Sequence, residues 1–238
     1  MGVLEQKVCF ITGASRGIGR AVAKRVLEEG GNVFNVSRSA EKIEEFKKEF
    51  SSYPIATYCG DVADEKQIIE AFAQCQNELG PVDILINNAG IGLPTPDLSE
   101  VDTATFDSMM ETNVKGLFLC TREALKTMKE KGEGQIINVV SVAGQNTNPI
   151  APLYCASKFG ARGVSSGTAD QVLKLGIRVT DVNPGPVDSD YWGDRPVPRE
   201  KFLKVEDVAD VVHYVLTMPA HIVIREINFN SLRYYEGK

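Results

Sequence analysis

Tyr154 and Lys158 stand four residues apart in the stretch Leu153 to Lys174, whose spacing predicts a helix, so both side chains fall on one face within reach of one ligand. A cation beside a phenol favours the phenolate and lowers a tyrosine pKa from its ordinary value of about 10, which makes Tyr154 usable as an acid or base near neutrality. The same spacing also occurs on many solvated helices, so the pair counts only with its company. Ser141 ends the apolar run Gln135 to Ser141, where its hydroxyl can bond a substrate oxygen as charge develops, or cap a turn. Asn113 falls within an apolar helical stripe made by Phe106, Met109, Met110, Val114, Leu117, Phe118 and Thr121. A buried amide must find partners, either in a hydrogen-bonded relay or on neighbouring backbone.

A second group of residues suits an anion. Thr12-Gly13-Ala14-Ser15-Arg16-Gly17-Ile18-Gly19 joins an apolar run, Lys7 to Thr12, to the helical pattern of Ile18, Val22, Ala23, Val26 and Leu27. Glycines allow a tight turn there, and the unpaired N–H groups of a helix N-terminus attract a pyrophosphate. An acidic side chain at the end of the second strand would hold a ribose 2′-hydroxyl, but this strand ends Val36-Ser37-Arg38. Arg38 together with Arg16 favours a 2′-phosphate, hence NADP(H) over NAD(H), although each arginine alone reads equally well as a solvated surface charge.

The elements that position these residues alternate. Compact β-rich runs at Lys7–Thr12, Asn32–Ser37, Ile55–Cys59, Val82–Asn87, Gln135–Ser141, Ile177–Val182 and His221–Asn230 are separated by amphipathic stretches at Glu41–Phe50, Glu65–Leu79, Thr103–Lys131, Leu153–Lys174 and Val205–Met218. Parallel neighbours need helical crossovers, so the pattern predicts an α/β fold: a doubly wound, seven-stranded parallel sheet of Rossmann type with helices on both faces. One domain over residues 1–238 is expected, with substrate loops at 91–102, 142–152 and 188–204, each after the C-terminal end of a strand.

On these motifs the chain resembles the short-chain dehydrogenase/reductase family, in its compact single-domain branch. The resemblance covers nearly the whole chain and rests on Thr12 to Gly19, Asp61-Val62, Asn87-Asn88-Ala89-Gly90, Asn113, Ser141, Tyr154-x-x-x-Lys158 and Pro184-Gly185-Pro186-Val187. It implies hydride transfer between a nicotinamide and a small carbonyl or alcohol substrate, with Tyr154 moving the proton, Ser141 beside it and no metal. It also implies that Asn113 reaches Lys158 through water and that Lys158 holds the nicotinamide ribose. Asp61 and Val62 would flank the adenine, Asn88 line the cofactor channel, and backbone near Val187 hold the carboxamide. Gly13, Ser15, Arg16, Gly17, Ile18 and Gly19 would line the pyrophosphate and ribose. Where many relatives carry threonine after the Pro-Gly motif, Ser189 keeps a hydroxyl for the diphosphate or carboxamide region.

The glycine-rich C-terminal segment common in acyl-carrier-type reductases is replaced by Ile222 to Asn230 and the tail Ser231 to Lys238. That leaves the substrate and the tetramer or dimer contacts of a homo-oligomer open. Tyr191 and Trp192 are candidates to touch substrate or to anchor their loop, and Gln145, with Asn146 and Asn148, forms an expected polar wall. The alternatives are a 3-oxoacyl-thioester reductase, or a non-catalytic NADP-binding module, against which intact Ser141, Tyr154, Lys158 and Asn113 argue. A sugar-nucleotide epimerase of the extended branch would need a longer chain.

Composition narrows the partners. The 26 basic and 32 acidic residues leave a formal charge of -6, and no basic stripe could track nucleic acid. Five scattered cysteines, Cys9, Cys59, Cys75, Cys120 and Cys155, form no C-x-x-C pair and no zinc set, and read as reduced thiols of a cytoplasmic protein. No apolar run reaches membrane-spanning length, and the start of the chain lacks a leader-like segment, so neither membrane nor export is expected.

Overall fold

The strands sort their side chains by parity. In a computed structural model, which describes residues 2–95 and 97–236, β1 (Val8–Thr12) sends Cys9 and Ile11 into one core cluster and Val8 and Phe10 into another on the opposite face. The other strands are β2 (Asn32–Ser37), β3 (Ile55–Cys59), β4 (Ile84–Asn87), β5 (Gly134–Val139), β6 (Ile177–Pro184) and β7 (Glu226–Phe229). They form one sheet in the order β3-β2-β1-β4-β5-β6-β7, every neighbouring pair parallel. Met1, Pro96 within the expected 91–102 loop, Gly237 and Lys238 lie outside the described residues.

Both faces are covered, as parallel sheets require. Against Cys9, Ile11, Ile86 and Ile137 pack Val22 and Val26 of α1 (Gly17–Glu28), Phe46 of α2 (Ala40–Glu49), and Val208, Val212 and Val215 of α7 (Val205–Leu216). Against Phe10, Phe34, Leu85 and Ile136 pack Ile68 and Ala71 of α3 (Glu65–Glu78), Cys120, Ala124 and Met128 of α5 (Gly116–Lys131), and Ala169 and Val172 of α6 (Pro152–Val172). The doubly wound seven-stranded sheet expected from the alternating pattern is the fold observed.

Several boundaries move, three of them by more than a residue or two or at a site residue. The expected last strand, His221–Asn230, pairs only over Glu226–Phe229, because the Arg178 and Thr180 side chains take the Ile222 and Ile224 carbonyls instead. β5 stops at Val139, leaving Ser141 two residues beyond it in extended backbone. The expected single helix Thr103–Lys131 is α4 (Thr103–Met110) and α5 joined by a π turn, Glu111–Lys115, in which Asn113 is buried. Phe106 and Phe118 of the expected apolar stripe face outward, 42% and 46% exposed.

Candidate active site

The order of the sheet reverses between β1 and β4, and both ends of the site open beside that point. The glycine turn after β1 is held from three strands. Thr12 Oγ1 accepts hydrogen bonds from the Asn88 and Ala89 N–H groups at 3.0 Å, and Asn88 Nδ2 donates to the Thr12 and Gly13 carbonyls at 2.9 and 3.2 Å. From β2, Asn35 Oδ1 accepts the Ala14 N–H at 3.1 Å and the Ser37 hydroxyl at 2.8 Å. Gly13 and Gly17 sit at φ +73° and +55°, the left-handed region that favours glycine. Gly19 presses helix to turn: a Cβ there would lie 2.5 Å from Asn88 Nδ2 and closer still to the Gly13 carbonyl.

The turn leaves its helix start open. Ser39, Asp64 and Asp102 cap α2, α3 and α4 with their side chains, whereas Arg16 at the start of α1, like Ala151 before α6, makes no side-chain cap. The N-terminal amides of α1 therefore keep their affinity for an anion. They open onto a groove of about 320 Å³ lined by Gly13, Ser15, Arg16, Gly17, Ile18, Arg38, Val62, Asn88 and Ser189, among others. Arg16 and Arg38 are exposed, and Arg38 lies 3.8 Å from the Asp61 carboxylate.

Continuous with the groove through Ile18, Asn88, Gly90, Ser189 and Tyr191 is a cavity of about 520 Å³. Ser141, Tyr154 and Lys158 line it together, beside Val187, Tyr191 and Trp192. The Tyr154 hydroxyl stands beside the Ser141 and Tyr191 side chains, and its pKa is raised, first by burial. The Lys158 ammonium lies 5.8 Å from the centre of the Tyr154 ring and donates to the Val139 carbonyl at 3.3 Å. Burial brings its pKa down to about 8 against the opposing pull of Asp181. The expected lowering of Tyr154 by Lys158 is thus not what the protein's own groups produce. Desolvation outweighs an ammonium that is turned toward a backbone carbonyl.

Asn113 is a satisfied amide. It accepts the Ile91 N–H at 2.8 Å and donates to the Ile91 carbonyl and the Ser157 hydroxyl, both at 2.8 Å. It still stands next to Lys158, since a Cβ on Gly90 would lie 3.2 Å from Asn113 Oδ1 and 3.4 Å from Lys158 Nζ.

Three expected residues fall off the walls. Gln145 turns away from the cavity and donates to Asn228 at 2.7 Å and Glu226 at 3.2 Å, because β7 offers acceptors there, while Asn146 and Asn148 remain on the wall. Gly19 is buried behind the turn. Asp61 stands outside the groove, accepting the Ala63 N–H at 2.9 Å. Trp192 both lines the cavity and anchors its loop, donating from Nε1 to the Val187 carbonyl at 2.8 Å. The cavity also gathers Arg195, Asn230 and Tyr234. No periodicity marks them, as they come from loops and a short 3-10 turn. Among the described residues no group of three or more His, Cys, Asp or Glu could hold a metal ion, and no helix is long and apolar enough to cross a membrane.

A family model described as short chain dehydrogenase matches residues 7–198. An uncharacterised oxidoreductase of Staphylococcus aureus strain USA300 is 33% identical over 228 residues, covering 95% of this chain and 98% of that protein. An alcohol dehydrogenase of the archaeon Thermococcus sibiricus, solved with 5-hydroxy-NADP, superposes with a TM-score of 0.88 at 27% identity over 95% of this chain and 97% of its own. The protein ElxO, solved with NADP bound, gives a TM-score of 0.83 at 32% identity, covering 93% and 97%.

Proposed function

The chain belongs to the short-chain dehydrogenase/reductase family of oxidoreductases, and from that premise we propose that it is NADP(H)-dependent and interconverts a small carbonyl compound and its alcohol. The observation that carries this reading is that Tyr154, Ser141 and Lys158 stand together on the wall of a cavity that runs directly into the groove of the glycine turn. NADP-bound neighbours support the cofactor.

The groove fits a dinucleotide on its own chemistry. The uncapped amides at the start of α1 and the two exposed guanidiniums of Arg16 and Arg38 match phosphates, the Arg38 end suiting a 2′-phosphate. Bound there, the nicotinamide cofactor supplies or accepts the hydride. The rest falls to the chain's own side chains. Tyr154, kept protonated by burial, gives its hydroxyl proton to the substrate oxygen in the reductive direction, and the Ser141 hydroxyl shares the charge that develops on that oxygen. Lys158 holds positive charge beside them at neutral pH. Asn113, by clamping Ile91, fixes the wall on which Gly90 and Lys158 meet.

The test is a screen of NADPH and NADH oxidation against small ketones, aldehydes and quinones, run beside Tyr154→Phe. NADPH should be the better donor, and the variant should bind it while losing turnover by about a thousandfold. Turnover in Tyr154→Phe equal to that of the wild type would remove the tyrosine from this role, and a preference for NADH would remove Arg16 and Arg38 from theirs.

A further inference from the structure

The chain is acidic overall, yet the described residues lining the 520 Å³ cavity include two cations, Lys158 and Arg195, and no Asp or Glu. Lys158 belongs to the reacting centre. Arg195 is a different matter, because nothing in the proton-transfer group needs it.

Its setting is unlike that of Arg199 and Lys204 in the same loop. Arg199 and Lys204 are both answered by Asp188, at 3.4 and 2.8 Å. Arg195 meets no carboxylate among the described residues. Two of its five N–H donors go to main-chain carbonyls, Nε to Trp192 at 2.8 Å and Nη2 to Tyr191. The guanidinium also lies over both rings, 4.9 Å from the centre of Tyr191 and 5.0 Å from that of Trp192. These contacts fix its direction without neutralising it. The ring of Tyr191 in turn stands 6.0 Å from that of Tyr154, so the charge is held one aromatic side chain away from the hydroxyl that moves the proton. A half-buried guanidinium kept rigid, unpaired and facing a cavity is built to receive a planar anion through its remaining donors.

We propose that Arg195 is a specificity-determining residue that selects substrates carrying a carboxylate, so that the compounds reduced and formed are small oxo acids and hydroxy acids. This rests on the oxidoreductase reading of the same site and adds the substrate class to it. The carboxylate takes no part in the redox step. Its salt bridge to Arg195 orients the chain so that the carbonyl falls toward Tyr154, while Asn146 and Thr147 on the same wall offer further polar contacts.

The experiment compares matched pairs with NADPH: acetoacetate against methyl acetoacetate, 4-oxopentanoate against its methyl ester, and succinic semialdehyde against butanal. The wild type should prefer the acid in at least one pair by tenfold or more in kcat/KM. Arg195→Met, which keeps an apolar stem over Tyr191 and Trp192, should cut the acid-to-neutral ratio by about a hundredfold, chiefly through KM, and Arg195→Lys should restore part of it. Melting temperature and NADPH binding of each variant establish that the fold persists. Neutral partners preferred by the wild type in every pair, or a ratio unchanged in Arg195→Met, would overturn the proposal while leaving the oxidoreductase reading intact. If no carbonyl of either kind is reduced although NADPH binds, the reading of the site falls and this proposal with it.

Discussion

The groove and the cavity meet at five shared residues, yet they are built by opposite means. The phosphate end of the groove is built on main chain: one turn with two glycines at positive φ and amides left uncapped, held by Thr12, Asn35 and Asn88. The cavity is made from side chains gathered out of segments near residues 93, 141, 154, 187, 195 and 230. Backbone geometry constrains the glycines of the first, whereas the second can change its lining one residue at a time on the same scaffold. The difference separates what must stay constant to hold a common cofactor from what is free to choose a substrate.

Three measurements can break or sharpen that contrast. The largest effect is expected at Gly19. Adding a methyl in Gly19→Ala should destabilise the fold by about 1–3 kcal/mol and abolish NADPH binding, since both Asn88 and the Gly13 backbone would have to move. Urea unfolding and a fluorescence titration check both parts, and normal binding in a stable variant would mean that the turn is less constrained than its packing implies. Next comes Arg16→Ala combined with Arg38→Ala, which should weaken NADPH by roughly a hundredfold and NADH by only a few fold, the two exposed side chains being the cations of the groove. Equal losses for both dinucleotides would place the arginines on the pyrophosphate instead.

The smallest effect concerns Lys158, the buried cation. Its folded pKa of about 8 lies below its ordinary value of 10.5, so between these values the unfolded chain holds a proton that the folded chain has released, and stability rises with pH. Relative to Lys158→Met, the wild type should gain about 1–2 kcal/mol between pH 8 and 9.5. The comparison with the variant is needed because burial pushes Cys75 up to about 12 and raises Cys9 and Cys120 as well, which gives the opposite slope in both proteins. A difference independent of pH would show that Lys158 keeps its proton throughout.

The sheet was legible because its signals are local and periodic: β1 alternates between two cores, and the glycines fall where the chain must turn. The glycine turn of the groove was legible for the same reason, since its residues adjoin in sequence and Arg38 follows the neighbouring strand. Tyr154, Lys158 and Ser141 could be named from spacing and resemblance, but the charge state of Tyr154 could not, because it depends on how deeply the hydroxyl is buried and on Tyr191 arriving from another loop. Gln145 misled because polarity in a loop does not say which way a side chain points, and β7 supplied competing acceptors. Arg195 stands in an irregular segment, where position carries no pattern that the sequence alone could reveal.

The π turn at Glu111–Lys115 carries a consequence for chain length. A wide turn of this kind is one residue in surplus over a regular α-helix, and each helical residue advances the direction of its side chain by about 100°. Removing a residue there would let the helix close up again, but at the expense of rotating α4 and its loop against α5 by about that angle. Asn113 would then swing off Ile91, and Gly116 would lose the close fit against Val62 that only a missing Cβ permits. The exact number of residues between the two helices, more than the identity of most of them, therefore sets how the substrate end of the molecule is aligned with its cofactor end.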